Sequence, residues 1–264
     1  MKRVFITGAS SGIGAALARA YAEQGAALGL VARRAQQLEQ LRAALPHPER
    51  HRIYALDVTD HAALAAAAAD FIAASNGVDV VIANAGISHG TLTEYAEDLA
   101  VFERIIATNV VATVATFHPF IATLKKQAQA GSRTTRLVGI GSVAGIRGLP
   151  GAGAYSASKA AVISYCEALR VELRGSGVKV VTISPGYIAT PMTQGNPYPM
   201  PFLMAPDQFA AHALAAIDAG VSYRVIPWQM GVVAKLMRLL PNWFYDFASS
   251  KARRKPRSGT SELA

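Results

Sequence analysis

Cysteine is all but missing: Cys166 is the single one in 264 residues. One thiol makes neither an internal disulfide nor a multi-cysteine metal site, so a disulfide-stapled scaffold is excluded and a reducing, cytoplasmic setting is the default expectation. Charge is scarce too, at 16% of residues against 52% hydrophobic. That balance excludes a disordered chain and supplies enough apolar side chain for a deep core. No run of eighteen uncharged apolar residues occurs, so a membrane-spanning helix is not expected. The opening MKRVFITGAS has an apolar run too short for a signal peptide, lacks a cleavage site, and reads as a buried first strand. His47, His51, His61, His89, His118 and His212 are scattered without ligand spacing, and no metal site is expected.

Net charge is unevenly placed along the chain. From Val221 onward, eight Lys and Arg stand against Asp246 and Glu262, so most of the net charge of +9 belongs to the last 44 residues. The body of the chain is close to neutral, which weakens any reading of it as a polyanion binder. Specific nucleic-acid recognition is not expected, since KARRKPR offers only salt-sensitive, nonspecific contacts.

Apolar strands alternate with helical stretches. RVFIT, ALGLVA, RIYALDV, VDVVIANAG, RLVGIGS and VKVVTISPG read as six buried strands, and YRVIP as a seventh. AALARAYAEQ, capped by Gly25, QQLEQLRAAL, ALAAAAADFIAA, a long stretch from about 100 to 129 bent near Pro119, and AYSASKAAVISYCEALRVELR read as helices. This alternation implies an α/β doubly wound, Rossmann-type domain: a mostly parallel seven-stranded sheet with helices on both faces. The domain runs over 1–227, with a helical extension over 228–250 and a basic tail over 251–264 that is expected to be disordered.

The first strand runs straight into TGASSGIG and a helix. Gly8, Gly12 and Gly14, with Ser10, Ser11 and Ile13 between and beside them, suit a tight turn that brings backbone close to a pyrophosphate at the helix N-terminus. The spacing is G-x-x-x-G-x-G. Where an acidic residue would bind an adenosine ribose at the end of strand two, the chain has Ala32 followed by Arg33 and Arg34. Two cations at a helix N-terminus oppose its dipole, whereas guanidinium groups hold a 2′-phosphate well. NADP(H) is therefore expected ahead of NAD(H), with NAD(H) still open. Asp57 and Val58 are placed for the adenine edge, or Asp57 caps the next helix. Asn84, Ala85 and Gly86 put small residues where a ligand would cross the sheet.

Tyr155 and Lys159 lie one helical turn apart. In order, TGASSGIG, NAG, Asn109, Ser142, Tyr155-x-x-x-Lys159 and Pro185-Gly186 resemble the short-chain dehydrogenase/reductase family over roughly residues 1–190. The resemblance implies hydride transfer between a nicotinamide and a carbonyl or secondary alcohol, with Asn109, Ser142, Tyr155 and Lys159 as the catalytic set. Tyr155 would exchange the proton, its pKa lowered by Lys159 and an oxidised nicotinamide. Ser142 would hold the reacting oxygen, Lys159 would also bind the nicotinamide ribose, and Asn109 would hold a water linking Lys159 to solvent. Pro185, Gly186, Ile188 and Thr190 would meet the nicotinamide carboxamide. One departure is Ser11, standing where some NADP-preferring members carry a basic residue. A dimer or tetramer is the family's habit.

Between Thr190 and Pro206 there is no Lys or Arg, while Met192, Met200, Met204, Phe202 and Tyr198 are present. That segment is expected to cover an apolar or lipid-like substrate. In 228–250, Gly231, Lys235, Arg238 and Asn242 form one polar stripe on an amphipathic helix. Peripheral contact with a membrane surface, packing on a partner subunit and packing on the chain itself all remain open for it. A cofactor-binding scaffold with a vestigial site is the alternative to an enzyme.

Overall fold

The computed structural model describes residues 1–194, 196–250 and 255–257. Seven strands form one sheet: β1 Arg3–Thr7, β2 Ala27–Ala32, β3 Arg52–Ala55, β4 Val80–Ala83, β5 Arg136–Ile140, β6 Lys179–Pro185 and β7 Tyr223–Ile226. Their order is β3-β2-β1-β4-β5-β6-β7, and every neighbouring pair is parallel. Parallel neighbours need crossovers, so helices cover both faces. The order reverses at β1, which opens a crevice at the carboxyl ends of β1 and β4.

On one face, α1 (Gly12–Glu23), α2 (Ala35–Ala44) and α8 (Pro206–Ala219) bury Leu17, Leu38 and Phe209 against the strands. On the other, α3 (His61–Ser75) and α7 (Gly153–Glu172) flank a long helical rod that runs from Asp98 to Gln129. The rod comprises α4 (Asp98–Ile106), a π-helical turn (Ala107–Val111), α5 (Ala112–Phe117), a 3₁₀ turn at Pro119 (His118–Phe120) and α6 (Ile121–Gln129). Phe71, Phe117, Leu124 and Leu169 are buried in this second layer; each such side chain contributes roughly 1.5–3 kcal/mol on leaving water. By length and composition alone the rod could cross a membrane, but it packs on the sheet as a core helix does.

The sequence reading misses α8. Pro206 opens it and Gly220 closes it in the left-handed conformation, φ 65°, but the proline-rich segment before it hides the start. The 228–250 extension proves to be two helices, α9 (Trp228–Leu239) and α10 (Asn242–Ser250), separated by Leu240-Pro241. The orientation expected for α9 is also corrected. Gly231 is buried, together with Met230 and Ala234, because a side chain there would crowd Val225 of β7. The solvent face instead carries Trp228, Val232, Leu236 and Leu239 beside Lys235 and Arg238. In the tail expected to be disordered, Arg257 bridges to Gly90 in the loop after β4; apart from Lys255–Arg257, 251–264 lies outside the described residues.

Candidate active site

At the crevice the chain encloses a cleft of about 540 Å³. Its first wall is the turn after β1. Gly8 and Gly12 take φ of 68° and 53°, a region L side chains avoid. Gly14 is required by proximity: a Cβ there would sit 2.8 Å from the carbonyl carbon of Gly8. Asn84 ties this turn to β4, its Nδ2 donating to the carbonyls of Thr7 (2.9 Å) and Gly8 (3.2 Å). Helix α1 then begins at Ser11 with no side-chain cap, so its first N–H groups face the cleft mouth as an anion site.

The two arginines after β2 part company. Arg34 Nη2 donates to Ser10 Oγ and Ser11 Oγ, both at 3.1 Å. The cation absent from position 11 is thus delivered to it from across the turn. Arg33 leans the other way, with Nη1 3.7 Å from Asp57 Oδ2. Asp57 is not the cap of α3; that is Asp60, which accepts from Ala63 N. Burial works to raise the Asp57 pKa, but hydrogen bonds from Thr59 and the charges of Arg33 and Arg104 outweigh it and hold the carboxyl below its usual range.

The second wall holds the proton-handling side chains. Ser142, extended at the end of β5, accepts from Ala144 N at 3.1 Å and bonds Tyr155. Tyr155 and Lys159 sit in the first two turns of α7. Lys159 is buried and donates to the Ile140 carbonyl at 2.8 Å; its Nζ is 5.8 Å from the Tyr155 ring centroid. Burial brings the Lys159 pKa down to about 8. Tyr155 departs from the sequence expectation: in the protein alone, burial raises its pKa, and the bond to Ser142 only partly offsets this.

Asn109 occupies the π-helical turn, an irregularity that often marks functional positions. Its Nδ2 donates to the Ile87 carbonyl (3.0 Å) and to Ser158 Oγ (2.9 Å), while its Oδ1 accepts from Ile87 N at 2.8 Å. It therefore pins the end of β4 to α7. Gly86 lies between, where a Cβ would be 3.1 Å from Asn109 Oδ1. Pro185 at the end of β6, and Gly186, Ile188 and Thr190 beyond it, complete the wall, with Thr193 Oγ1 holding the Thr190 amide at 3.0 Å.

Every site residue expected from sequence lines the cleft except Gly14 and Asn109, which support it from behind. Arg104, Thr108, His89 and Thr193 also line it and were missed. Arg104 and Thr108 are spaced by four on one rod, and that spacing, read back from Asn109, was the signal available. Among the described residues, no three His, Cys, Asp or Glu side chains gather to hold a metal ion.

The turn, the uncapped helix, the arginine at its mouth and the cleft's size fit a dinucleotide, as comparison with known proteins bears out. Residues 2–198 match the family model described as short chain dehydrogenase. An uncharacterized oxidoreductase of Myxococcus xanthus is 36% identical over 256 residues, covering 96% of this chain and 98% of its own. Among solved structures, a 3-ketoacyl-(acyl-carrier-protein) reductase from Brucella melitensis complexed with NADH superposes with a TM-score of 0.77 at 26% identity, over 85% of this chain and 96% of that one. An alcohol dehydrogenase from the archaeon Thermococcus sibiricus complexed with 5-hydroxy-NADP gives 0.74 at 27% identity, over 86% and 96%. The chain belongs to the short-chain dehydrogenase family, whose enzymes transfer hydride between a nicotinamide cofactor and an alcohol or carbonyl group.

Proposed function

We propose that this enzyme is an NADP(H)-dependent carbonyl reductase or alcohol dehydrogenase acting on an apolar substrate. The observation that carries the cofactor choice is Arg34, held over Ser10 and Ser11 at the turn where an adenosine 2′-phosphate would lie, with Ala32 in place of an acidic residue. A guanidinium and two hydroxyls make a phosphate site; a carboxylate would repel it. Titration with NADPH and NADH, repeated on Arg34→Ala, tests this. Tight NADPH binding lost in the variant supports the reading, and preference for NADH overturns it.

The nicotinamide, when bound, supplies or accepts the hydride. Tyr155 Oη gives a proton to the carbonyl oxygen on reduction, or takes it from the alcohol on oxidation. Ser142 Oγ holds that same oxygen, and Lys159, buried beneath, provides the positive charge that favours the phenolate once the cofactor's own charge is added. An intact set of this kind weighs against a scaffold with a vestigial site. Met192 at the cleft and the pair Tyr187 and Tyr198, ring centroids 6.2 Å apart, supply an apolar cover for a bulky ketone or lipid-like chain. Exposed Leu99, Phe102, Val111 and Val114 on the rod and Val171 on α7 favour a homo-oligomer, which light scattering on a sizing column would register.

A second reading, compatible with the first, comes from α9 and α10. Trp228 (68% exposed), Leu239 (78%), Trp243 (73%) and Phe247 (75%) form an apolar face beside Lys235 and Arg238. That chemistry suits peripheral contact of a cytoplasmic enzyme with an anionic bilayer. Trp228 and Trp243 are the chain's two tryptophans, so tryptophan emission, excited selectively over the tyrosines, reads this face alone. A blue shift with anionic but not neutral vesicles, reversed by salt, supports the reading. A shift driven by protein concentration alone would assign the face to a second copy instead.

A further inference from the structure

The wall of the cleft formed by Ile87 to Leu92 has two fixed ends. Asn109 holds Ile87, as described above, and Asp98 Oδ2 accepts from Leu92 N at 2.7 Å. Its middle is held by residues from the far end of the chain. Lys255 Nζ donates to Ser88 Oγ at 2.9 Å. Gly90 N donates to the Pro256 carbonyl at 3.2 Å, and Gly90 and Arg257 form a parallel bridge. Thr91 bridges to Ala152, at the start of the helix that carries Tyr155.

Arg257 is the anchor. Its Nε and Nη2 reach Asp98 Oδ2 and Oδ1 at 2.8 and 3.1 Å, and Nη2 also reaches Glu97 Oε1 at 2.8 Å. Its guanidinium carbon lies 3.6 Å from the Tyr95 ring centroid. Asp98 is only 3% exposed, and a forked, stacked arginine is a geometry that lysine cannot reproduce. Gly90 is matched to the strap from the other side. A Cβ there would fall 2.5 Å from the Pro256 carbonyl oxygen and closer still to that of Lys255.

We propose that Lys255–Arg257 is a strap that sets the position of the substrate-cleft wall carrying Ile87 and His89, with Arg257 as a positioning residue for substrate rather than for cofactor. Both wall residues line the cleft, whereas among the described residues Arg34 bonds Ser10 and Ser11 and the strap bonds Ser88, Gly90, Glu97 and Asp98. The basic tail thus acts on its own enzyme, spending part of its charge on Glu97 and Asp98. This proposal rests on the reductase reading for its kinetic consequences only.

The test uses two independent lesions in the full-length chain, Arg257→Ala and Gly90→Ala, with Arg257→Lys as the conservative variant. A panel of small and bulky apolar ketones is assayed with saturating NADPH, together with NADPH affinity and amide hydrogen exchange. Expected are roughly ten- to a hundred-fold losses in kcat/KM for bulky ketones, smaller losses for small ones, unchanged NADPH affinity, faster exchange at residues 88–92, and an intermediate Arg257→Lys. Wild-type kinetics and exchange in both alanine variants overturn the proposal. So does a parallel fall in NADPH affinity and Tm, which would make the strap merely a brace for the fold. If the unaltered enzyme reduces no ketone, the reductase reading fails by itself. Exchange then decides the strap: faster at 88–92 supports it, and unchanged overturns it.

Discussion

Lys159 Nζ donates to the Ile140 carbonyl at 2.8 Å while standing 5.8 Å from the ring centroid of Tyr155. The ammonium is thus anchored to the sheet beneath the tyrosine rather than hydrogen-bonded to it. In the protein alone burial raises the Tyr155 pKa, and the hydrogen bond with Ser142 offsets this only in part. A tyrosine left protonated near neutrality suits the acid role in reduction.

Tyr155→Phe should remove the proton donor and leave the cleft's shape unchanged. Ketone reduction is expected to fall by about 10²–10⁴-fold, the usual worth of a positioned acid or base, with NADPH affinity within a few-fold of wild type. Steady-state rates and nucleotide fluorescence on the same preparation check both halves. A variant with normal rates would remove Tyr155 from the chemistry.

Burying Lys159 has a stability consequence with a definite sign. Its folded pKa is depressed from 10.5 to about 8, so the unfolded chain binds the proton more tightly. This penalty is fully present below pH 8 and is relieved as pH rises from about 8 toward 10.5, where the native amine is neutral and the unfolded one is still charged. The penalty is on the order of 3 kcal/mol at pH 7. Lys159→Met should therefore abolish turnover while raising Tm at pH 7, with the gain shrinking toward pH 10. Thermal melts across that range check it; a lowered Tm at pH 7 would show that the bond to Ile140 outweighs the burial cost.

The two arginines after β2 should behave unequally. Arg34 sits on Ser10 and Ser11, whereas Arg33 is drawn toward Asp57. Loss of a charge-assisted contact costs about 1.5–3 kcal/mol, so Arg34→Ala should weaken NADPH by roughly ten- to a hundred-fold and leave NADH nearly unchanged. Arg33→Ala should cost severalfold less. Equal losses for both nucleotides would place Arg34 on the pyrophosphate.

The placing of the candidate proton-handling residues was legible because it rests on local spacing. Tyr155 and Lys159 share a helix turn, and the glycines of 8–14 share one loop, so sequence alone carries their geometry. The sheet was legible for a similar reason: strands buried on both faces are apolar throughout. What the sequence hid depends on long-range packing. Arg34 reaching Ser11 and Arg257 reaching Asp98 span 23 and 159 positions, and nothing local announces either. The α9 error has the same origin. Polar spacing alone marked Gly231 as outward, but the close approach of β7 turns that glycine inward and leaves Trp228 and Leu236 in solvent.

That inward turn makes α9 part of the catalytic body rather than an appendage. Met230 is buried, and its Cγ would lie 2.7 Å from a Cβ on Gly186, the residue that follows β6 into the cofactor wall. Gly186 is bare because Met230 fills the space behind it. Met230→Ala should open a cavity at a cost of about 2–5 kcal/mol and loosen the backbone that carries Ile188 and Thr190. Both Tm and NADPH affinity are then expected to fall, whereas Leu236→Ala, on the exposed face of the same helix, should leave both within error. Melting curves and nucleotide titrations on the pair decide it: equal behaviour of the two variants would mean that α9 rests on the wall without shaping it.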